Sequence, residues 1–259
     1  MPLDGRVVVV TGASRGVGRG IAAELAEKRA TVIATGRTIA AADLPANVVR
    51  AACDHTDDAS IAALFERIAT DYGRCDALVN SAWGGYERMV EDGAFTWPKP
   101  FWEQPVWRWS AMIDAGLRAA FVASQHAARM MVHARRGLIV DVSHWAAQKH
   151  VGNAIYGTAK AATDKLTADS AHELRPFGVA AISLYPGLVR TEAVLAAGVF
   201  DLSNSESPQF SGRAVAALMT DPELMHLSGT VQIVARLAQR YGFSDIDGTQ
   251  PRPLTLKEV

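Results

Sequence analysis

The chain has 259 residues, of which 49% are hydrophobic and 20% charged, and its formal net charge is −1. That length and composition fit one large domain with a sizeable buried core, while the near-balance of charge excludes the basic stripe of a nucleic-acid binder. Its two cysteines, Cys53 and Cys75, have no metal-ligand spacing and read as free buried thiols in a reducing compartment, so no metal site is expected.

From the N-terminus, MPLDGRVVVVTG runs straight into a strand, without the charged-then-apolar pattern of a signal peptide. No stretch approaches the ~18 uninterrupted apolar residues of a membrane span, and the expected location is cytoplasmic. Strands are predicted at RVVVV (6–10), TVIAT (31–35), VVRAA (48–52), ALVN (77–80), LIVDV (138–142), VAAISLY (179–185) and TVQIV (230–234). Several are apolar on both faces, as a parallel sheet covered by helices requires. Between them lie amphipathic stretches such as DDASIAALFERIATDYG (57–73), which opens on acids and stops at glycine. The alternation predicts an α/β fold: a Rossmann-like, doubly wound parallel sheet of about seven strands with helices on both faces, in a single domain over 1–259. Two stretches break the rhythm, an aromatic insertion at 83–109 and a loop at 191–212. Each follows a strand and should overhang the carboxyl ends of the sheet, where such folds bind ligands.

TGASRGVG (11–18) joins the first strand to the first helix. Gly12 permits the tight turn, Gly16 lets the backbone approach a pyrophosphate, and Gly18 allows close helix packing. Ser14, Arg15 and Val17 complete a loop whose N–H groups and helix dipole would face phosphates. An isolated glycine-rich turn means little, but between the first strand and helix of an alternating chain it points to a dinucleotide. The second strand then ends in VIATGRT (32–38), on Arg37. An acid here would bond the ribose 2′-hydroxyl of NAD, whereas an arginine accommodates a 2′-phosphate, and no Asp or Glu occurs between Ala30 and Ala42. Arg15 could reach the same phosphate from the other side, so NADP(H) is the expected cofactor. Either arginine alone would pass for a solvated surface charge.

YGTAK (156–160) places Tyr156 and Lys160 on one helical face. A nearby ammonium stabilises the phenolate and would draw the tyrosine down from its usual pKa near ~10. Tyr156 would then act as general acid in reduction or base in oxidation. Pairs at this spacing are common on solvated helices, and the cofactor loop is what gives this one weight.

In TGASRGVG, LVNSA, YGTAK and YPGLVRT the chain resembles the short-chain dehydrogenase/reductase family over nearly its whole length. The insertion, HELRPFGV and LAQRYGFSDIDG look most like its dehydrogenase/reductase member 1 type. The resemblance implies an NADP(H)-dependent enzyme that passes hydride between NADPH and a carbonyl or secondary alcohol of an apolar, steroid-like or aromatic substrate, working as a homodimer or homotetramer. It implies that Lys160 also binds the nicotinamide ribose and that Asp54 meets the adenine. Asn80 and Ala82 would line the adenosine side, and Val189 and Thr191 would contact the nicotinamide carboxamide. Asp54 reads equally well as a turn cap.

Two departures from that pattern matter. Counting back from Tyr156, the family's catalytic serine falls on Ser143; counting forward from Gly137, it falls on His144. One residue of slip reverses which face a strand side chain occupies. Ser143 is the first choice for orienting the carbonyl, because a hydroxyl both donates and accepts. His144 could do so through a ring N–H, or pack as a loop residue on Trp145. The second departure is Gly116, where the family has an asparagine thought to hold a water, through its backbone carbonyl, in a proton relay to the lysine. Glycine keeps that carbonyl at a cost of about 1 kcal/mol of helix stability relative to alanine. These changes leave open a second kind of protein, an NADP(H)-binding regulator or scaffold with weakened catalysis. The insertion itself holds Trp83, Trp97, Trp102, Trp107 and Trp109 with Phe95 and Phe101. It reads as a hydrophobic lid for a flat apolar substrate, or as rings that pack the loop onto its own domain or onto another subunit.

Overall fold

The structure is a computed structural model that describes residues 2–259. Seven parallel strands form its central sheet: β1 (Val7–Val10), β2 (Thr31–Gly36), β3 (Val49–Ala52), β4 (Ala77–Asn80), β5 (Gly137–Val142), β6 (Val179–Tyr185) and β7 (Val231–Ile233). Across the sheet they run β7-β6-β5-β4-β1-β2-β3. The strand order reverses between β1 and β4, and a crevice for a ligand opens at the carboxyl ends on either side of such a switch point. In register, Val8 of β1 stands beside Val32 of β2 and Ala77 of β4.

The valines of β1 show why the sheet needs helices on both faces. Val8 and Val10 pack with Ile21 and Leu25 of α1 (Gly16–Glu27), Phe210 and Val215 of the helix Pro208–Thr220, and Leu237 of the helix Val234–Tyr241. Val7 and Val9 join the opposite layer, with Ile61 and Phe65 of α2 (Asp58–Tyr72), Met131 of α3 (Ala119–Ala134) and Leu174 of α4 (Ala154–Leu174). Each valine contributes roughly 1.5–3 kcal/mol by leaving water. Local signals set the ends. The Asp57 side chain accepts the Ala59 N–H at the start of α2, and Gly73 closes that helix at φ 67°.

Strand bounds move by one residue from the sequence reading at the first, second, third, fifth and seventh strands, and the α4 helix begins just ahead of Tyr156. Two small pairings were not foreseen. Inside the insertion, Val90–Glu91 and Ala94–Phe95 form a hairpin around Asp92 and Gly93, both at positive φ. At the 191–212 loop, Leu188–Val189 just before it pairs in parallel with Ser205–Glu206 inside it. The insertion leads through the helical turns of Trp107–Met112 into one π-helical turn, Ile113–Arg118, which feeds α3. No helix among the described residues is long and apolar enough to cross a membrane, and no group of three or more His, Cys, Asp or Glu among them could hold a metal ion.

Candidate active site

Tyr156 lies in the first turn of α4, where the Asn153 side chain accepts its backbone N–H at 3.0 Å. The same asparagine donates to the Trp97 carbonyl at 3.0 Å, so one side chain caps the helix and anchors the insertion. Four rings surround the phenol: Trp97 at 5.3 Å, His144 at 5.4 Å, Trp83 at 5.7 Å and Tyr86 at 6.0 Å between centroids. The Tyr86 hydroxyl also donates to that of Tyr156 at 2.9 Å. One helical turn on, the Lys160 ammonium donates to the Val142 carbonyl at 2.9 Å and sits 4.2 Å above the Trp83 ring.

Burial pulls the Lys160 pKa down to about 8, against the opposing pull of the Asp164 and Asp141 carboxylates. Burial also raises the Tyr156 phenol well above its ordinary value, and the neighbouring Tyr86 adds to that. This corrects the expectation that Lys160 draws the phenol toward neutrality. The ammonium lies 5.9 Å from the Tyr156 ring and spends a hydrogen bond on Val142, so it does not offset the loss of water. Burial thus favours the protonated form of the Tyr156 phenol, the form that can donate a proton.

The geometry separates Ser143 from His144. Ser143 is buried and donates to the backbone carbonyl of Lys160 at 3.4 Å, facing into the domain. His144 turns toward Tyr156 instead. Its Nδ1 accepts the Ala146 N–H at 3.0 Å, which leaves the proton on Nε2. Burial, followed by the Lys160 charge, lowers the His144 pKa to about 4. A neutral imidazole that presents one N–H is therefore the side chain beside the phenol. Trp145 packs on Tyr185 rather than on the histidine.

The glycine loop adopts the cradle its sequence implies. Gly12 is at φ 65°, and a Cβ there would lie 2.6 Å from the Ala82 Cα, so the loop and the end of β4 touch backbone to backbone. A Cβ at Gly18 would meet the Gly12 carbonyl at 2.5 Å, and one at Gly36 would meet the Ser14 hydroxyl at 2.6 Å. Val17 turns into the core as Arg15 caps α1 with an extended backbone. Arg15 and Arg37 meet: each donates through Nη2 to the same oxygen, Oε1 of Glu87, at 2.9 and 3.1 Å. At the other end of the loop the Gly16 N–H donates to Glu192 Oε2 at 2.9 Å. Two carboxylates thus occupy the donors at the arginine corner and at the helix N-terminus, positions that can hold the anionic groups of a dinucleotide.

The residues assigned by resemblance divide. Thr191 reaches the glycine loop, its Cγ2 3.5 Å from where a Gly16 Cβ would be, and it caps the short helix Glu192–Ala197. Val189 is buried in the parallel pairing beside it. Ala82 donates its N–H to the Thr11 hydroxyl at 3.1 Å. Asn80 departs from expectation: its side chain turns inward, donating to Ser124 at 2.9 Å and Asp141 at 2.8 Å. These bonds tie the end of β4 to Ser124 of α3 and Asp141 of β5. Asp54 binds the Thr56 N–H and hydroxyl at 2.9 and 2.7 Å, the behaviour of a turn cap.

Several residues that shape the site were missed in the sequence. Tyr86, Glu87 and Glu192 carry no motif. Asn153 could have been found as the N-cap three residues before Tyr156. Arg108 is fully buried inside the insertion, donating to the Thr96 carbonyl at 2.8 Å, to the Thr96 hydroxyl and to Gln104. Trp83 and Trp97 pack around Tyr156, while Phe95, Phe101, Trp102 and Trp109 are exposed.

The short chain dehydrogenase family model matches residues 6–198. The chain is 43% identical to mouse Dehydrogenase/reductase SDR family member 1 and 40% identical to the human protein, in each case over 95% of this chain and 85% of the relative. Among solved structures, a short chain dehydrogenase/reductase family protein superposes with a TM-score of 0.73 at 28% identity, covering 90% of this chain and 97% of that one.

Proposed function

The chain belongs to the short-chain dehydrogenase family of oxidoreductases, and from that membership we propose that it transfers hydride between NADPH and the carbonyl of an apolar, steroid-like or aromatic substrate. The observation that carries the reading is the Tyr156 phenol, buried among Trp83, Tyr86, Trp97 and His144 with the Lys160 ammonium one turn away. The nicotinamide ring supplies the hydride when bound. Arg15 and Arg37 would hold the 2′-phosphate, the N-terminus of α1 the pyrophosphate, and Thr191 and Val189 the nicotinamide end.

In reduction, Tyr156 gives its hydroxyl proton to the carbonyl oxygen as that oxygen gains charge. His144 Nε2–H donates to the same oxygen, taking the place first given to Ser143, and it serves as a fixed dipole because the ring stays neutral. Lys160, one turn along the helix with its ammonium held at the Val142 carbonyl, would bind the nicotinamide ribose. The surrounding rings exclude water and suit a flat apolar substrate better than a sugar or an organic acid.

The test is NADPH oxidation over a panel of aromatic ketones, steroid ketones and quinones, repeated with Tyr156→Phe. Turnover that Tyr156→Phe abolishes, with NADPH affinity kept within a few-fold, supports the reading. NADPH binding without turnover on any member would instead identify a cofactor-binding regulator.

A further inference from the structure

We propose that Glu87 and Glu192 are internal counter-anions of the cofactor crevice and that Glu87 sets how strongly NADPH is preferred over NADH. The proposal rests on the NADP(H) reading above and extends it to two residues that no motif marks.

Glu87 belongs to the aromatic insertion, yet its Oε1 accepts from Arg15 at 2.9 Å and from Arg37 at 3.1 Å, arginines that lie on the glycine loop and at the end of β2. Neither arginine has another carboxylate at ion-pair distance among the described residues. Glu192 opens the substrate loop and does the equivalent at the other end of the glycine loop. Its Oε2 accepts the Gly16 N–H at 2.9 Å, while its Oε1 pairs with Arg19 at 2.8 Å. Each of the two loops that overhang the sheet is thus tethered to the cofactor side by one carboxylate.

A phosphate needs the donors these carboxylates hold. A 2′-phosphate carries more charge than Glu87 and has three acceptor oxygens, so it can take over both arginines. NADH carries only a neutral hydroxyl at that position, which cannot compete for the arginines, and it leaves the Glu87 contacts in place. Glu87 therefore weakens binding of the phosphorylated cofactor alone. The pyrophosphate is common to both cofactors, so Glu192 weakens both alike. All five side chains at these contacts are partly exposed, which limits each effect to roughly three- to tenfold.

Calorimetric titration of NADPH, NADH and adenosine 2′,5′-bisphosphate into the full chain and its Glu87→Gln, Glu87→Ala and Glu192→Gln variants decides the matter. Both Glu87 variants should bind NADPH and the bisphosphate about three- to tenfold more tightly, with NADH within twofold, widening the preference. Glu192→Gln should tighten NADPH and NADH by a common factor. If the unmutated protein prefers NADPH and the Glu87 variants leave its affinity unchanged or weaker, the counter-anion proposal is overturned and the cofactor reading stands. If the unmutated protein binds NADPH and NADH equally and ignores the bisphosphate, the cofactor reading itself fails and this proposal fails with it.

Discussion

Trp83 fills the volume that a side chain at position 116 would need: a Cβ on Gly116 would lie 2.6 Å from Cε3 and Cζ3 of the indole. The glycine in the π-helical turn and the tryptophan after β4 are one packing decision, and that tryptophan also forms the surface under the Lys160 ammonium. Gly116→Asn should displace the ring and destabilise the protein by about 1–3 kcal/mol, the usual cost of overpacking. Gly116→Asn combined with Trp83→Ala should recover part of that loss in denaturant titration. Equal losses in the single and double variants would show that the two positions are independent.

At the arginine corner, Arg37→Ala should weaken NADPH binding tenfold or more and leave NADH nearly unchanged, because only the phosphorylated ribose offers a partner for the guanidinium. Direct binding measurements read this without turnover. A parallel loss for both cofactors would assign Arg37 to stability rather than to recognition.

The pair Ser143 and His144 gives opposite expectations. His144→Ala should lower the catalytic rate by a factor of ~10² or more, the usual cost of losing one hydrogen bond to a developing oxyanion. Ser143→Ala should change the rate little, since its hydroxyl serves the Lys160 carbonyl. The pH profile is the second readout. With a His144 pKa of about 4, reduction should show no histidine-like step near pH ~6.5. For stability the sign follows from linkage. The folded ring resists a proton that the unfolded chain accepts below pH ~6.5, so the contribution of a neutral His144 is present above that value and is lost as pH falls toward 4.

Glu206 makes the opposite prediction. It is buried beside the Gly187 N–H, and burial raises its pKa to about 8, with the Asp245 charge adding to the rise against Arg190. A carboxyl held protonated in the fold but ionised in the unfolded chain stabilises fully below the unfolded pKa, and that contribution is lost as pH rises through about 8. Melting curves between pH 5 and 9 should therefore show stability falling by up to about 1.4 kcal/mol per pH unit from this one proton. Glu206→Gln should flatten that slope. A slope that survives the substitution belongs to another group.

The sheet was legible because each of its strands is a short apolar run between turn signals, and the β1 valines face helices on both sides. The cofactor loop was legible for a similar reason: Gly12 and Gly18 are demanded by backbone approach, which leaves a trace in a single sequence. What escaped is what depends on side-chain direction. LIVDVSH cannot tell which of two neighbours points at Tyr156, because that choice is made by the turn after β5 and by the Ala146 N–H that fixes His144. The phenol pKa was misjudged because YGTAK gives the spacing of Tyr156 and Lys160 but not the Val142 carbonyl that claims the ammonium. Asn80 matched the family position, yet its partners Ser124 and Asp141 come from elements far along the chain.

Asn153 carries two loads at once, the first turn of the catalytic helix through the Tyr156 N–H and the insertion through the Trp97 carbonyl. Neither region can loosen at that point without releasing the other. The insertion around Trp97 and the start of α4 therefore form a single opening unit in the native ensemble, and their amide hydrogens should exchange with solvent at a common rate. A loop that looks appended in sequence is thus tied through one side chain to the helix that bears the reactive tyrosine.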